Sequence, residues 1–196
     1  TERLIMKFRT VFAVVVAVLL ISNSHAKIEC ELAFSPVKKL DGGRQLNRNS
    51  PFNIASYNIL HFEYSPARQA IDPASGRQVF YPEKISKNGE HLEKIAKIIE
   101  GQKLDIISMQ EVQGRDALNV FNQKYLDDNY EVVSLPGNDP RGYEVGFLIK
   151  KDLPLKFKVR SHRNKKEFYS VANKEIDIYS RDLPTLYIWK EGRDET

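Results

Sequence analysis

The chain has 196 residues, 41% of them hydrophobic and 29% charged, with 30 basic and 26 acidic side chains for a net charge of +4. This composition excludes a disordered or low-complexity polymer and suits one domain with a real core. The single cysteine, Cys30, excludes an intrachain disulfide and leaves a free thiol or an intermolecular partner.

In chain order, Met6 begins a run that reads as a secretory signal. Lys7 and Arg9 form the positive start, Val11 to Ile21 the apolar core, and "SNSHA" leads to a cut after Ala26. The apolar run is shorter than the about 20 residues that cross a bilayer. Residues 1–5 read as upstream read-through and 6–26 as the signal, so export to the periplasm or medium is expected, with no stable membrane association after cleavage. Cleavage removes three basic residues and one acidic one, leaving 27 against 25 and a net +2. An anionic partner must therefore be argued from local clusters, not from overall charge.

Residues 27–51, with "DGGRQLNRNSP", have no steady period and read as a turn-rich leader to a domain over 52–196. Phe52 to Asn58 alternates as a strand. Glu63 to Tyr81, with Pro66, Pro73 and Gly76, reads as a long loop, of a length that is usually functional. Pro82 suits a first helical turn, Leu92, Ile95, Ala96 and Ile99 recur at helical spacing, and Gly101 is a natural stop. "LDIISMQEV" (Leu104 to Val112) predicts a buried strand and Asp116 to Tyr125 a second helix. "YEVVSL" and "EVGFLIKK" predict strands joined by "PGNDPRG"; Leu155 to Arg160, Glu175 to Tyr179 and Leu186 to Trp189 complete the set. Strands and helices mix without strict alternation, which suggests sheets covered by helices.

Four places bring polar groups to strand ends: Asn58, Glu111, Glu144 and Arg181. A carboxylate at the end of a buried strand is a positioned hard-oxygen ligand for Mg²⁺ or Ca²⁺. An asparagine beside it can bind a phosphate oxygen without adding charge, and an arginine can grip phosphate bidentately. Taken singly, a strand-end glutamate is more often solvated, and an Arg-Asp pair in a turn is usually a surface ion pair.

Taken together, "FNIASYNILHF", "LDIISMQEV", "RGYEVGFLIKK" and "YSRDLPTLYIW" resemble the endonuclease/exonuclease/phosphatase superfamily, the deoxyribonuclease I-like fold, over about residues 52–190. The resemblance implies an α+β fold, a four-layer αββα sandwich of two central sheets flanked by helices. It implies that Asn58 holds the scissile phosphate, that Glu111 is the principal protein ligand of Mg²⁺ (or Ca²⁺ or Mn²⁺), and that Glu144 orients a catalytic histidine. It also implies that Arg181 contacts substrate phosphate; Tyr143, beside Glu144, is a candidate for touching substrate or for simple packing. The family's later "H-x-K-S"-like strand, "D-x-N" pair and closing "S-D-H"-like segment are absent. The resemblance therefore implies the N-terminal portion of a larger enzyme, inactive as this chain and a monomer when full length.

Other features carry less. Lys156, Lys158, Arg160 and His162 alternate on one strand face and could track a polyphosphate backbone or keep an exposed strand soluble. His61 stands three residues past Asn58, but the family places its histidines elsewhere; Asp105, at the opposite strand end from Glu111, reads as structural. The leading expectation is a secreted metal-dependent phosphodiesterase, most of all a nuclease on DNA or RNA. The alternatives are a lipid or inositol-phosphate phosphoesterase of the same fold, such as a sphingomyelinase-like enzyme, and a non-catalytic binding module.

Overall fold

A computed structural model describes residues 35–46 and 51–190, so residues 1–5, the signal 6–26, its cleavage point and Cys30 lie outside the described residues. Within the segment read as leader, Lys38–Asp41 forms a strand, β1. The opening strand β2 (Ile54–Phe62) runs four residues further than its alternation indicates. The expected loop is not structureless: β3 (Tyr64–Ser65), β4 (Arg68–Ile71) and β5 (Gln78–Tyr81) lie in it, and β6 (Lys84–Ile85) follows. Pro82 opens no helix. The helix α1 is Gly89–Gly101, because Asn88 supplies the cap its first turn needs: the Asn88 side chain accepts the Glu90 backbone N–H.

The strand β7 (Ile106–Val112), the helix α2 (Gly114–Tyr125) and the strands β8 (Tyr130–Ser134) and β9 (Glu144–Lys150) stand where their apolar patterns place them. After β10 (Pro154–Arg160) comes a solvent-exposed hairpin, β11 (Lys166–Tyr169) and β12 (Lys174–Asp177), and the described chain closes on β13 (Thr185–Lys190).

The main sheet has the order β2-β7-β9-β8. β2 and β7 run parallel, joined through a crossover that contains α1, and β7 and β8 each pair antiparallel with β9. A second sheet, β1-β10-β13, is antiparallel throughout. One face of the main sheet (Ile107, Met109, Leu148) meets Leu92, Ile95 and Ile99 of α1 and Leu118 and Phe121 of α2. The other face (Ile106, Phe147, Ile149) packs on Leu155, Phe157, Val159 and Leu186 of the second sheet.

This arrangement overturns the expected four-layer αββα sandwich. The described residues are 43% strand and 18% helix, with two α-helices, one four-stranded and one three-stranded sheet, and three two-stranded ribbons. Both helices bury their apolar stripes in the same core. The residues of β10 that face away from the main sheet are Lys156, Lys158 and Arg160, with Tyr187 and Trp189 beside them on β13. A charged and half-solvated face offers no apolar stripe to bury against a further helix.

Candidate functional site

Because β2 and β7 are parallel, their C-terminal ends reach the same edge of the sheet. Both strands are irregular there. The register shifts between Asn58 and Phe62 on β2 and between Gln110 and Val112 where β7 meets β9. Leu60, His61 and Glu111 all adopt the left-handed region, with φ of 58°, 53° and 61°. Three non-glycine residues in that region at one sheet edge is a costly local geometry, and bulges of this kind re-aim side chains.

Here they aim Asn58 and Glu111 at each other. Asn58 lies close enough to Glu111 to lower its carboxyl pKa, while the Asn58 Oδ1 accepts the Leu60 backbone N–H at 2.8 Å. Arg181 donates from Nη1 to Glu111 Oε1 at 3.2 Å and from Nε to Asp139 Oδ2 at 3.1 Å. Asn58 and Arg181 hold the Glu111 carboxyl below the usual carboxylate range, with the nearby His61 adding to the effect and desolvation opposing it.

Asp139 comes from the "DPRG" turn, closed by Gly142 N–H to Asp139 C=O at 2.9 Å; Gly142 takes a φ of 80° that favours glycine. The Asp139 carboxylate also accepts from Arg141 Nε and Nη2 at 3.0 and 2.8 Å. Arg141 first, then Arg181, hold its carboxyl far below the ordinary range. Asp139, Arg141 and Arg181 line an open surface pocket of about 460 Å³, shared with Ile178, Tyr179 and Leu183.

On the other side of Glu111 stands His61. Its Nε2 is 3.4 Å from Glu111 Oε2, and its ring stacks on Tyr143 at 4.7 Å between centroids and 20° between planes. The Tyr143 hydroxyl donates to Glu63, which raises the phenol above its usual pKa. Arg141 lies over the Tyr143 ring at 5.2 Å.

Thus Asn58, Glu111, Arg181 and Tyr143 are gathered at one edge. Glu144 is bound elsewhere. Its side chain is buried and Oε2 accepts the Gly137 backbone N–H, so it braces the turn that carries Asp139. Burial raises its pKa, with the Gly137 N–H opposing. His162 is 20 residues from Asp182 in sequence, yet its backbone N–H donates to the Asp182 carboxylate at 2.7 Å. Sequence reasoning passed over Asp139, whose signal was the turn residues "DPRG", and set His61 aside.

Among the described residues no cluster of three or more His, Cys, Asp or Glu side chains could hold a metal. The chemistry of Glu111 nevertheless fits a hard cation that keeps most of its ligands as water. Its Oε2 is buried and accepts no hydrogen bond, which is a costly state for a carboxylate oxygen. Among the described residues no helix is long and apolar enough to cross a membrane. No family model, curated protein or solved structure matches the chain.

Proposed function

We propose that the edge where β2 and β7 end is the metal- and phosphate-binding side of a secreted phosphodiesterase of the endonuclease/exonuclease/phosphatase type, acting on nucleic acid. The observation that carries this reading is the contact of Asn58 with Glu111, two bulged strand ends pointed at one another, beside an arginine. Glu111 would hold the divalent ion through the oxygen that has no hydrogen-bond partner. When bound, such an ion supplies charge stabilisation to a phosphodiester in the transition state.

The chain's own residues do the rest of the positioning. Asn58 is held through its Oδ1 by the Leu60 N–H and lies beside Glu111, so little reorganisation is needed for its amide N–H to meet a phosphate oxygen. Arg181 is shared between Glu111 and Asp139, and it can transfer one donor to an incoming phosphate while keeping the other. Tyr179 lines the pocket beside this edge and offers a face on which a base can stack, whereas the Tyr143 ring is already covered by His61 and Arg141.

The test is calorimetric titration of Mg²⁺ and Mn²⁺, and of a short single-stranded oligonucleotide with metal present, into the wild-type chain, Glu111→Gln and Arg181→Ala. The reading expects Glu111→Gln to lose metal binding and Arg181→Ala to keep the metal but weaken the oligonucleotide. Unchanged metal binding in Glu111→Gln would remove its basis. A bilayer-borne phosphodiester is the second reading, favoured by the β11–β12 hairpin, where Phe168, Tyr169 and Val171 are exposed. Cosedimentation with vesicles, lost in Phe168→Ser/Val171→Ser, would move the substrate from nucleic acid to lipid.

A further inference from the structure

We propose that His61 is a second protein ligand of the ion held by Glu111, making the site one for a first-row transition ion in preference to Mg²⁺ or Ca²⁺. The inference rests on the reading of Glu111 as a metal ligand and extends it to the kind of metal.

The first ground is spacing. His61 Nε2 and Glu111 Oε2 are 3.4 Å apart and make no hydrogen bond. Two donors on one ion with bonds of about 2.1 Å are about 3.0 Å apart at a right angle and about 3.4 Å at a tetrahedral angle. The pair already stands at a ligand-to-ligand distance, and the oxygen on that side is the one that accepts no hydrogen bond.

The second ground is pre-organisation. His61 holds a left-handed backbone conformation, φ 53°, with Leu60 before it at 58°. Such strain persists only when the surroundings over-determine it. They do so here from two directions. The Ser86 hydroxyl donates to the His61 carbonyl at 3.0 Å and accepts the Glu63 N–H at 2.8 Å. The imidazole is stacked on Tyr143, and the Tyr143 hydroxyl is tied to Glu63. A side chain placed only for packing gains nothing from this, because His61 is half exposed: its side chain keeps 49% of its accessible surface.

The third ground is donor chemistry. Imidazole nitrogen suits first-row ions such as Zn²⁺, Fe²⁺ and Ni²⁺ best, with Mn²⁺ the weakest of that series and a paramagnetic probe of it, whereas Mg²⁺ and Ca²⁺ take oxygen donors. One carboxylate oxygen and one imidazole nitrogen leave the remaining positions to water and substrate oxygens, which a hydrolytic site requires.

The deciding measurement is pulsed electron paramagnetic resonance on the full chain loaded with Mn²⁺, prepared once at natural abundance and once with ¹⁵N-labelled histidine. The proposal expects ¹⁴N modulation from a bound imidazole, replaced by ¹⁵N in the labelled sample and lost in His61→Gln. Calorimetry should show His61→Gln binding Mn²⁺ about tenfold or more weakly, with a Mg²⁺ affinity within about threefold of wild type. Mn²⁺ binding without histidine nitrogen coupling overturns the proposal even if His61→Gln fails to fold. If Glu111→Gln loses both ions and His61→Gln alters neither, the second ligand is refuted while the site survives. If Glu111→Gln keeps both ions, the functional reading itself falls.

Discussion

Replacing Asp105 by alanine should destabilise the chain by about 3–5 kcal/mol. Asp105 is 1% exposed, yet it is a carboxylate. Its Oδ1 accepts from Arg44 Nη1, and Oδ2 accepts the Asn53 backbone N–H at 3.0 Å. The backbone is tied at the same point, since Asp105 and Ile106 N–H both donate to the Asn53 carbonyl, at 2.8 and 3.2 Å. This joint sets β2 against β7, and five residues along it the same register brings Asn58 opposite Gln110 and next to Glu111. Removing the carboxylate strands the Asn53 N–H and half of the Arg44 guanidinium, which keeps Asp152 at 2.9 Å. A buried charged hydrogen bond lost on one side costs about 1.5–3 kcal/mol, and breaking a buried pair costs about 3–5 kcal/mol. Arg44 can rehydrate, because its side chain keeps 29% of its surface, which places the expected value at the lower end of that range. Urea unfolding followed by circular dichroism measures it, with Asp105→Asn as the control that keeps the Asn53 contact and loses less. A loss below about 1 kcal/mol for Asp105→Ala would refute the claim that this joint sets the register.

Two further outcomes concern pH. Burial raises the Glu144 pKa, so its contribution to stability is present below the ordinary glutamate range and is lost as pH rises through the raised value. Glu144→Gln, which can still accept the Gly137 N–H, should match wild type near pH 4 and exceed it at pH 7; denaturant midpoints at the two values decide, and lower stability at pH 7 would contradict the account. Tyr130, buried and donating to the Leu104 carbonyl at 2.8 Å, is pushed up from 10.0 to about 12 by burial first and then by Asp105, Glu100 and Asp152. Its stabilisation is complete below pH 10 and disappears between pH 10 and about 12. Tyr130→Phe should cost about 1 kcal/mol at pH 7 and remove about 1–2 kcal/mol of the alkaline loss, after discounting for solvent screening. Equal pH slopes for the two proteins above pH 10 would rule this out.

Much of the secondary structure is legible in the residues themselves. Leu92, Ile95, Ala96 and Ile99 mark α1, and the runs at Ile106–Val112 and Glu144–Lys150 mark strands, because each is buried against a neighbour and carries that burial as a period. The ribbon β4–β5 and the strand β11 left no such trace, because their residues are mostly exposed on both faces and nothing selects an alternation; β12 overlaps the strand expected over Glu175 to Tyr179. Strand β1 was hidden because four residues are too few for a period to show. The layer count was beyond reach from one sequence, since whether two amphipathic helices cover one sheet face or two depends on the crossover, not on their stripes.

The candidate site divides in the same way. Asn58 and Glu111 stand out as polar residues toward the ends of strands and Arg181 as one in the loop ahead of β13, a property of local pattern and of motif resemblance. That Arg181 reaches Asp139 as well as Glu111, that Glu144 turns to Gly137, and that His61 lies against Glu111 were decided only by tertiary structure. The reason is physical: these contacts need a bulge in each of two parallel strands and left-handed backbone at Leu60, His61 and Glu111. Nothing in the local propensities of those residues favours that conformation; the paired sheet imposes it.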